Sequence, residues 1–392
     1  MNIVFLSNVY NHHQKSISQK LFELTGGNFI FISTAQMTEE GGKYGDKEHD
    51  EFVYSYNCEN SSGNGMQIII DSADVVIVGS GLDHLISSRI KGRKLVFRYT
   101  ERPLKNGFQI WKYLPRLYLW HKRNPKRGLI YVLCASSYTA SDYEKFGLFK
   151  NRVYKWGYFP RCKRYSNFSD IMSKKEKTEI LWCGRFLKWK HPDDVLRVAK
   201  KLKVAGYDFT IKFIGSGEME GELKEYAIRN DLSDKVVFLG ALNTEQVREH
   251  MECAGIYLFT SDRREGWGAV LNEAMNSGCA VVSSIDAGAT SYLVKHNENG
   301  MIFNSNDINS LYHYVKYLLD NPNEQNRIGK AAYKTIVNEW NADVAAERLI
   351  AISTRILEGE DYPNLYTDGP CAYSPRKKTI ASIFKEKNEV HN

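Results

Sequence analysis

Short runs of apolar, mostly β-branched residues alternate with longer stretches of helical periodicity along almost the whole chain. The pattern predicts strands at residues 2–8, 28–33, 74–80, 94–100, 129–136 and 152–158, and then near 179–184, 209–214, 235–239, 256–260, 279–284 and 300–303. Helical periodicity fills the intervals, and residues 307–359 read as consecutive helices. Alternation of this kind is typical of βα units around parallel sheets, so the predicted fold class is α/β.

One polar, basic stretch interrupts the alternation and divides the chain. We predict an N-terminal α/β domain over residues 1–160, a linker over 161–178 and a C-terminal α/β domain over 179–340. In the remaining segment, 341–392, we expect a helix that returns to the N-terminal domain, followed by a basic tail. Two α/β domains that face a central cleft would place ligands at the carboxyl ends of their strands, as expected of a two-substrate enzyme.

Composition and charge exclude several classes of protein. A hydrophobic content of 43% and a charged content of 25% are those of an ordinary globular protein, and no apolar run reaches the roughly 20 residues of a membrane-spanning helix. The net charge of +7 predicts no nucleic-acid binding without a motif. The seven cysteines lack metal-site spacing, and we expect them to be reduced core residues. The N-terminus lacks a basic leader, which predicts a cytoplasmic protein.

The most informative segment, 261–275, follows an apolar strand and passes through two glycines into a helix. A helix start offers free N–H groups to a phosphate, and glycines let the phosphate approach the main chain. Glu265 precedes the turn, and Glu273 lies about 12 Å further along the axis if the segment is helical throughout. The two carboxylates would then accept hydrogen bonds from hydroxyls on either side of a diphosphate. A solvated acidic turn with a surface glutamate explains the spacing equally well.

Two cations lie in the loop after the first strand of the C-terminal domain. In the segment GRFLKWK, Gly184 ends the strand, and Arg185 and Lys190 flank a short loop before a helix that Pro192 opens. A guanidinium and an ammonium group together can neutralise a diphosphate leaving group. Because the chain contains no Asp-x-Asp, we expect no metal ion and no other cofactor at this site.

These motifs together resemble the donor-binding domain of family 4 glycosyltransferases, which have the GT-B fold. The resemblance rests on Arg185 and Lys190, on the segment FIGSGE, and on EGWGAVLNEAMNSG, in order over residues 179–340. It implies that Glu265 contacts the transferred sugar and Glu273 the ribose of the nucleotide, while the two cations bind the diphosphate. It further implies a role for the backbone of the flanking turn, at Gly266, Trp267, Gly268 and Ala269.

The glycines of FIGSGE, Gly215 and Gly217, are also found in dinucleotide-binding loops, where the main chain approaches a cofactor. Here the loop follows the second strand of its domain rather than the first, which argues against NAD or FAD. The resemblance instead implies a place beside the nucleobase, and a plain strand-to-helix turn is the other interpretation.

The resemblance implies that the C-terminal domain, 179–340, binds the nucleotide sugar and that the N-terminal domain, 1–160, binds the acceptor. The acceptor side is less distinctive. His12 and His13 follow the first strand, where many members of the family have a glycine-rich loop that this chain lacks. Adjacent histidines point in different directions on a regular element, so we expect one to face the cleft and the other solvent. Glu101 and Arg102 end the fourth predicted strand, where a buried structural ion pair and a substrate contact are both plausible.

Residues 103–141 contain basic and aromatic side chains but no Asp or Glu. Such a composition suits peripheral contact with an anionic membrane, or an acceptor carried on a lipid diphosphate. A core-facing aromatic stripe with a solvated basic face is the alternative. A short basic helix near residues 374–387 would add to a membrane contact at the inner face of the cell membrane.

The sequence therefore predicts a retaining, metal-independent glycosyltransferase that moves a hexose-type sugar from a nucleoside-diphosphate sugar, UDP being the expected nucleotide, to a glycan or lipid-linked glycan of a surface polysaccharide. Retention is what the family resemblance implies. Two alternatives are a UDP-sugar 2-epimerase of the same fold and a non-catalytic glycan-binding protein. An epimerase would release a new sugar without any acceptor, and a binding protein would be expected to lack the two cations.

Overall fold

The computed structural model describes residues 1–34, 50–56, 62–79, 81–107, 110–126 and 128–374. The chain divides into two compact units. Unit 1 comprises Met1–Arg161 and the segment that begins at Trp340, and unit 2 comprises Cys162–Glu339. Each unit contains a parallel sheet with helices, so the predicted α/β class with two domains of this kind is confirmed.

Unit 1 is built on a seven-stranded parallel sheet with the order β3-β2-β1-β4-β5-β6-β7. Its strands are β1 (Ile3–Ser7), β2 (Phe29–Ser33), β3 (Val53–Ser55), β4 (Val75–Val78), β5 (Leu95–Thr100), β6 (Ile130–Cys134) and β7 (Val153–Lys155). Its helices are α1 (His12–Leu24), α2 (Ser62–Ser72), α3 (Ser87–Lys91), α4 (Ile110–Arg123) and α5 (Thr139–Glu144), with a 3₁₀ turn at Asp83–Ile86. All these strands except β3 were predicted.

The central strands of unit 1 are apolar on both faces because helices cover the sheet on both sides. Every residue of β1, β4 and β6 is buried. Arg89, on α3, is a buried charged residue of this unit and is only 1% exposed. Its guanidinium group donates to the main-chain carbonyls of Ile70, Ala73 and Leu95. Arg89 thereby joins α2, α3 and β5, and burial lowers its pKa to about 10.

Unit 2 contains a six-stranded parallel sheet with the order β10-β9-β8-β11-β12-β13. Its strands are β8 (Glu176–Cys183), β9 (Thr210–Ile214), β10 (Val236–Phe238), β11 (Ala254–Phe259), β12 (Ala280–Ser284) and β13 (Met301–Phe303). Its helices are α6 (Phe168–Ser173), α7 (Pro192–Val204), α8 (Glu220–Arg229), α9 (Thr244–Cys253), α10 (Ala269–Asn276), α11 (Thr290–Leu293), α12 (Ile308–Asp320) and α13 (Pro322–Asn338). All these strands were predicted.

The segment predicted as a linker, 161–178, belongs almost entirely to unit 2. The ring of Phe168 stacks on Tyr333, with the centroids 3.7 Å apart. The ammonium group of Lys175 is buried and donates to the main-chain carbonyls of Met251 and Ala254. Lys175, one of the basic residues that indicated a solvated linker, is therefore buried with its charge hydrogen-bonded inside the unit. The strand β8 begins at the next residue, Glu176.

The last described helix, α14 (Ala342–Leu357), packs on α1 within unit 1. The basic tail predicted over residues 374–387 lies, apart from Ser374, outside the described residues. Within the described residues, no helix combines the length and apolar character needed to cross a bilayer.

The six described cysteines are free, and Cys134, Cys279 and Cys371 are buried as predicted. Cys253 is exposed, because it ends α9 on the surface of unit 2, and for this residue the prediction of a core position was wrong. Cys58 lies outside the described residues.

Candidate functional site

Two glycine-containing loops of unit 2 lie side by side at the carboxyl ends of β8 and β9. The amide of Phe186 donates to the carbonyl of Ser216 over 2.9 Å, and Gly215 has a φ of +131°. A β-carbon on Gly215 would lie 1.9 Å from the carbonyl oxygen of Gly184, and one on Gly217 would lie 2.7 Å from the backbone of Phe186. The structure therefore brings together the predicted site glycines 184, 215 and 217, and only glycine fits this contact.

The ammonium group of Lys190 reaches the loop that follows β11. Its Nζ atom lies 2.5 Å from Oε2 of Glu265, and the Ser261 hydroxyl donates to the same oxygen over 3.0 Å. The stem of Lys190 passes Gly184, where an added β-carbon would lie 3.4 Å from the lysine Cδ atom. Lys190 thus contacts Glu265 and passes Gly184, and all three predicted site residues follow the neighbouring strands β8 and β11.

A buried hydrogen-bond network holds these two loops together. The indole of Trp182 donates to the hydroxyl of Thr260, which in turn donates to the main-chain carbonyl of Lys190 over 2.6 Å. The amide of Asp262 donates to the carbonyl of Trp189. The main chain at Trp189 and Lys190 is therefore held by hydrogen bonds to the loop that follows β11.

The turn into α10 is shaped by Gly268, which has a φ of +96° and is the N-cap residue of the helix. A β-carbon there would lie 2.2 Å from the ring of Phe259, so the turn can approach β11 only with glycine. Trp267 is fully buried, and its indole donates to the side chain of Asn272. The predicted start of a helix after two glycines is thus present at Ala269, with its first turn open to a ligand.

Glu273 lies on α10, but Glu265 precedes the helix and is not part of it. The 12 Å separation expected for a continuous helix from residue 265 therefore does not apply. Burial raises the pKa of the Glu273 carboxyl, and the charge of Arg248 partly opposes this rise. Among the described residues, nothing hydrogen-bonds to the Glu273 side chain, so its carboxyl is available to a ligand hydroxyl.

Arg185 is exposed and, within the described part of the chain, forms no ion pair or hydrogen bond through its side chain. Its charge is therefore unneutralised, in contrast to that of Lys190. Next to Lys190, His191 lies 3.5 Å from Asp262, which raises the pKa of the imidazole. Burial acts to raise the pKa of Asp262, but the nearby His191 and the hydrogen bonds from Arg264 hold it well below its usual range.

One group of potential metal ligands occurs beside this loop within the described ranges. Single ligand atoms of His191, Asp193 and Asp194 lie within 4.8 Å of one another. These carboxylates already contact a cation, because Arg197 bridges Asp193 and Asp194 at 3.0 and 3.2 Å. The expectation that the reaction needs no metal stays a prediction.

On unit 1, the two histidines do not point apart as predicted. His12 and His13 begin α1, and their rings lie 3.8 Å apart. His13 also stacks on Tyr158, with centroids 5.2 Å apart. Burial, followed by the charge of His12, lowers the pKa of His13 to about 3, so this ring is neutral at pH 7. The first helical turn, which Asn11 caps, brings the rings together.

Glu101 and Arg102 do not pair with each other. Arg102 is buried and forms two hydrogen bonds of 3.2 Å to the carboxylate of Asp142. Glu101 accepts a hydrogen bond from the Tyr158 hydroxyl over 2.6 Å and lies 3.5 Å from Lys105. Of the two alternatives for these residues, the Glu101–Arg102 ion pair is therefore excluded, since each side chain has a different partner.

Several residues of the unit 2 site were not singled out from the sequence. Ser261 and Thr260 immediately follow β11, and Asp262 follows them. Their position at the carboxyl end of a strand was a usable signal. The partner of Ser261 is Glu265, four residues on, whereas the partner of Thr260 is the carbonyl of Lys190, 70 residues away, and was not visible in the sequence.

The family that matches this chain matches it within unit 2. Residues 164–335 match the family described as "Glycosyl transferases group 1". An uncharacterized glycosyltransferase of Haemophilus influenzae is 30% identical over 177 residues, which are 43% of this chain and 49% of that protein. A GDP-mannose-dependent phosphatidylinositol monomannoside mannosyltransferase of Corynebacterium glutamicum is 27% identical over 47% of this chain and 48% of its own. The chain thus spans about half the length of these curated relatives.

Solved structures match over most of the chain. The crystal structure of Anabaena HepE in complex with UDP has a TM-score of 0.70 at 15% identity and covers 91% of this chain and 100% of its own. A glycosyltransferase from Rickettsia africae has a TM-score of 0.67 at 15% identity, with coverage of 91% and 99%. At this level of identity, these matches establish the GT-B fold alone.

The sequence motifs, the geometry of their loops and the family match all fall on the same part of the chain. The predicted resemblance to a glycosyltransferase is confirmed, whereas its assignment to family 4 stays a prediction. Residues 164–335 match the group 1 family of glycosyl transferases, in a chain that has the GT-B fold.

Proposed function

We propose that this protein is a retaining glycosyltransferase that works without a metal ion and transfers a hexose-type sugar from a nucleoside-diphosphate sugar to a glycan. The observation that carries the proposal is the 2.5 Å contact between Lys190 and Glu265. In this proposal, the ammonium group of Lys190, the guanidinium group of Arg185 and the first amides of α10 bind the diphosphate.

The chemistry follows from where charge develops. When the bond between the sugar and the diphosphate breaks, positive charge grows on the sugar and negative charge on the leaving phosphate. Lys190 has three N–H donors, and its contact with Glu265 needs only one of them, so it can also bind a phosphate oxygen. Cations held in place before the reaction stabilise this transition state more than the ground state.

The carboxylates receive distinct roles in this proposal. Glu265, held by Lys190 and Ser261, accepts hydrogen bonds from hydroxyls of the transferred sugar. Glu273, whose side chain is free of partners among the described residues, accepts them from the ribose. The leaving phosphate takes the proton of the attacking acceptor hydroxyl on the same face of the sugar, so the reaction needs no separate protein base.

UDP is the proposed nucleotide, and the structural neighbour HepE binds UDP. The proposed acceptor is a glycan or lipid-linked glycan in surface polysaccharide synthesis, and a relative from Erwinia amylovora is named for amylovoran biosynthesis. The fold is also consistent with work at the cytoplasmic face of a membrane. On α4, Tyr118 and Leu119 are 71% and 43% exposed, and they are followed by the basic residues Lys122 and Arg123.

A thermal-shift screen of the full chain against UDP, GDP, ADP, NAD and the corresponding sugar nucleotides, with and without EDTA, tests the donor. We expect stabilisation by UDP and UDP-sugars that EDTA leaves unchanged. A tight response to NAD, or a response that EDTA abolishes, would contradict the proposal. Product analysis with donor alone then separates transfer from epimerisation, because only an epimerase forms a new free sugar and UDP in stoichiometric amounts without an acceptor.

Co-sedimentation with vesicles tests the membrane contact separately. The full chain should sediment with vesicles that contain anionic lipid and not with neutral ones, and Tyr118→Ser should weaken this binding. Equal sedimentation with both kinds of vesicle would remove the membrane from the proposal without affecting the reaction.

A further inference from the structure

Unit 1 contains a cavity of about 610 Å³ at the carboxyl ends of its central strands. Ser7, at the end of β1, Gly79, just after β4, and Thr100, at the end of β5, contribute to its wall. Within the sheet, β2 is the neighbour of β1 on one side and β4 is its neighbour on the other, so the direction of the strand order reverses at β1. In parallel α/β sheets, ligands bind at the point where the strand order reverses in this way.

The charges of the cavity wall do not balance. Arg98 and Arg123 both line the cavity, and both contact the single carboxylate of Asp83, at 2.8 and 3.1 Å. Two guanidinium groups against one carboxylate leave one positive charge on this wall. The side chain of Arg123 is 48% exposed, so it retains N–H donors that a ligand can reach.

The cavity lining includes another, loosely held cation. Lys105 lies 3.5 Å from Glu101, and both side chains are partly exposed. The other side of Glu101 is occupied by the Tyr158 hydroxyl. Arg102 also lines the cavity, but the buried carboxylate of Asp142 neutralises it. The excess positive charge of the cavity therefore comes from Arg98, Arg123 and Lys105.

Aromatic rings form much of the remaining surface. Trp120, Tyr99, Tyr143 and Tyr158 line the cavity. Aromatic faces stack on the apolar faces of sugar rings, and Trp120 is held edge-on against Phe146, with centroids 4.9 Å apart. The combination of fixed aromatic rings with cations that exceed the carboxylates suits a saccharide that carries a negative charge.

The acceptor is expected in unit 1, and we infer from the wall of this cavity that it is a saccharide bearing an anionic group, either a carboxylate or a phosphate. The guanidinium group is planar and offers paired donors that match both kinds of anion. Asp83 fixes the two arginines in place without cancelling their combined charge. The inference rests on the proposed function, since it names the class of the second substrate.

The test compares the binding of three probes to the full chain at matched ionic strength: methyl glucoside, methyl glucuronide and glucose 6-phosphate. Titration calorimetry should give about tenfold or greater preference for one or both anionic probes over the neutral glucoside, as expected for charge-assisted hydrogen bonds. Preference for the glucuronide indicates a uronic-acid acceptor, and preference for the sugar phosphate indicates a phosphorylated or lipid-linked one. Inorganic phosphate alone should bind more weakly than glucose 6-phosphate.

Arg123→Gln and Lys105→Gln should each reduce the anionic preference about tenfold while leaving glucoside binding unchanged. Lys91→Gln is the matched control, because Lys91 is an exposed lysine of unit 1 that does not line the cavity. Equal binding of all three probes, or variants that behave like the control, would overturn the inference.

Titration of UDP in the same variants separates this inference from the proposed function. The inference fails alone if UDP binds the wild-type chain normally and the anionic probes show no preference. The proposed function fails if no nucleotide binds, whatever the saccharides do.

Discussion

Replacement of Gly215 by alanine is a direct test of the contact between the two glycine loops of unit 2. The new β-carbon would lie 1.9 Å from the carbonyl oxygen of Gly184, a backbone atom that no side-chain rotation can move away. The φ of +131° adds strain, since residues with a β-carbon avoid this region. Strained backbone costs about 1 to 3 kcal/mol and overpacking a similar amount, so we expect a loss of about 2 to 5 kcal/mol in the free energy of unfolding.

Urea denaturation followed by tryptophan fluorescence measures this loss, and UDP titration measures its effect on the site. We expect Gly215→Ala to bind UDP at least about tenfold more weakly, because the loops at residues 184–186 and 215–217 must separate. Gly221→Ala is the matched control: nothing lies within 4 Å of its added β-carbon, and it lies in α8, so it should be neutral or stabilising by up to about 1 kcal/mol. If Gly215→Ala has wild-type stability and affinity, the close contact between these loops is not required.

Three further predictions concern single side chains. Arg89→Leu should lower the free energy of unfolding by about 3 to 5 kcal/mol in urea denaturation, because it leaves three buried carbonyls without their donor; a loss below about 1 kcal/mol would contradict this role. Burial raises the pKa of Asp194 to about 6, above its unfolded value, so ionisation costs stability as pH rises. Between pH 4 and 7, the free energy of unfolding of the wild type, measured by urea denaturation, should therefore fall by about 2 to 3 kcal/mol relative to that of Asp194→Asn. Stability profiles of the two proteins that run parallel over this pH range would exclude the raised pKa. Glu273→Gln should weaken UDP binding about tenfold but leave the binding of uracil unchanged, as calorimetry would show, and equal weakening of both would contradict a ribose contact.

The strands were predictable because burial on both faces of a parallel sheet produces continuous apolar runs. The exception, Val53–Ser55, is a three-residue strand at the sheet edge, and its side chains are partly or fully exposed. Its sequence therefore lacks the apolar signal that identified its neighbours.

The site of unit 2 was predictable for a different reason. Glycines that permit backbone contact and charged residues near strand ends are local features. Residues 184–190 carry a glycine and cations, and residues 265–278 carry glycines and two glutamates. By contrast, the partner of Arg102 is Asp142, 40 residues away, and the partners of Lys175 are backbone carbonyls of another segment. A single sequence contains no signal for pairings of this kind, so the acidic partner of Arg102 and the packed state of the predicted linker were both missed.

The central claim is that fixed cations of unit 2 take up the charge of the departing diphosphate. The most direct measurement is kcat for release of nucleoside diphosphate from the donor by Arg185→Gln and Lys190→Gln, with Lys188→Gln as the control from the same loop. The account predicts that each site variant loses about 10²- to 10³-fold in kcat while the control keeps the wild-type value. Wild-type kcat in both site variants, or an equal loss in the control, would contradict it.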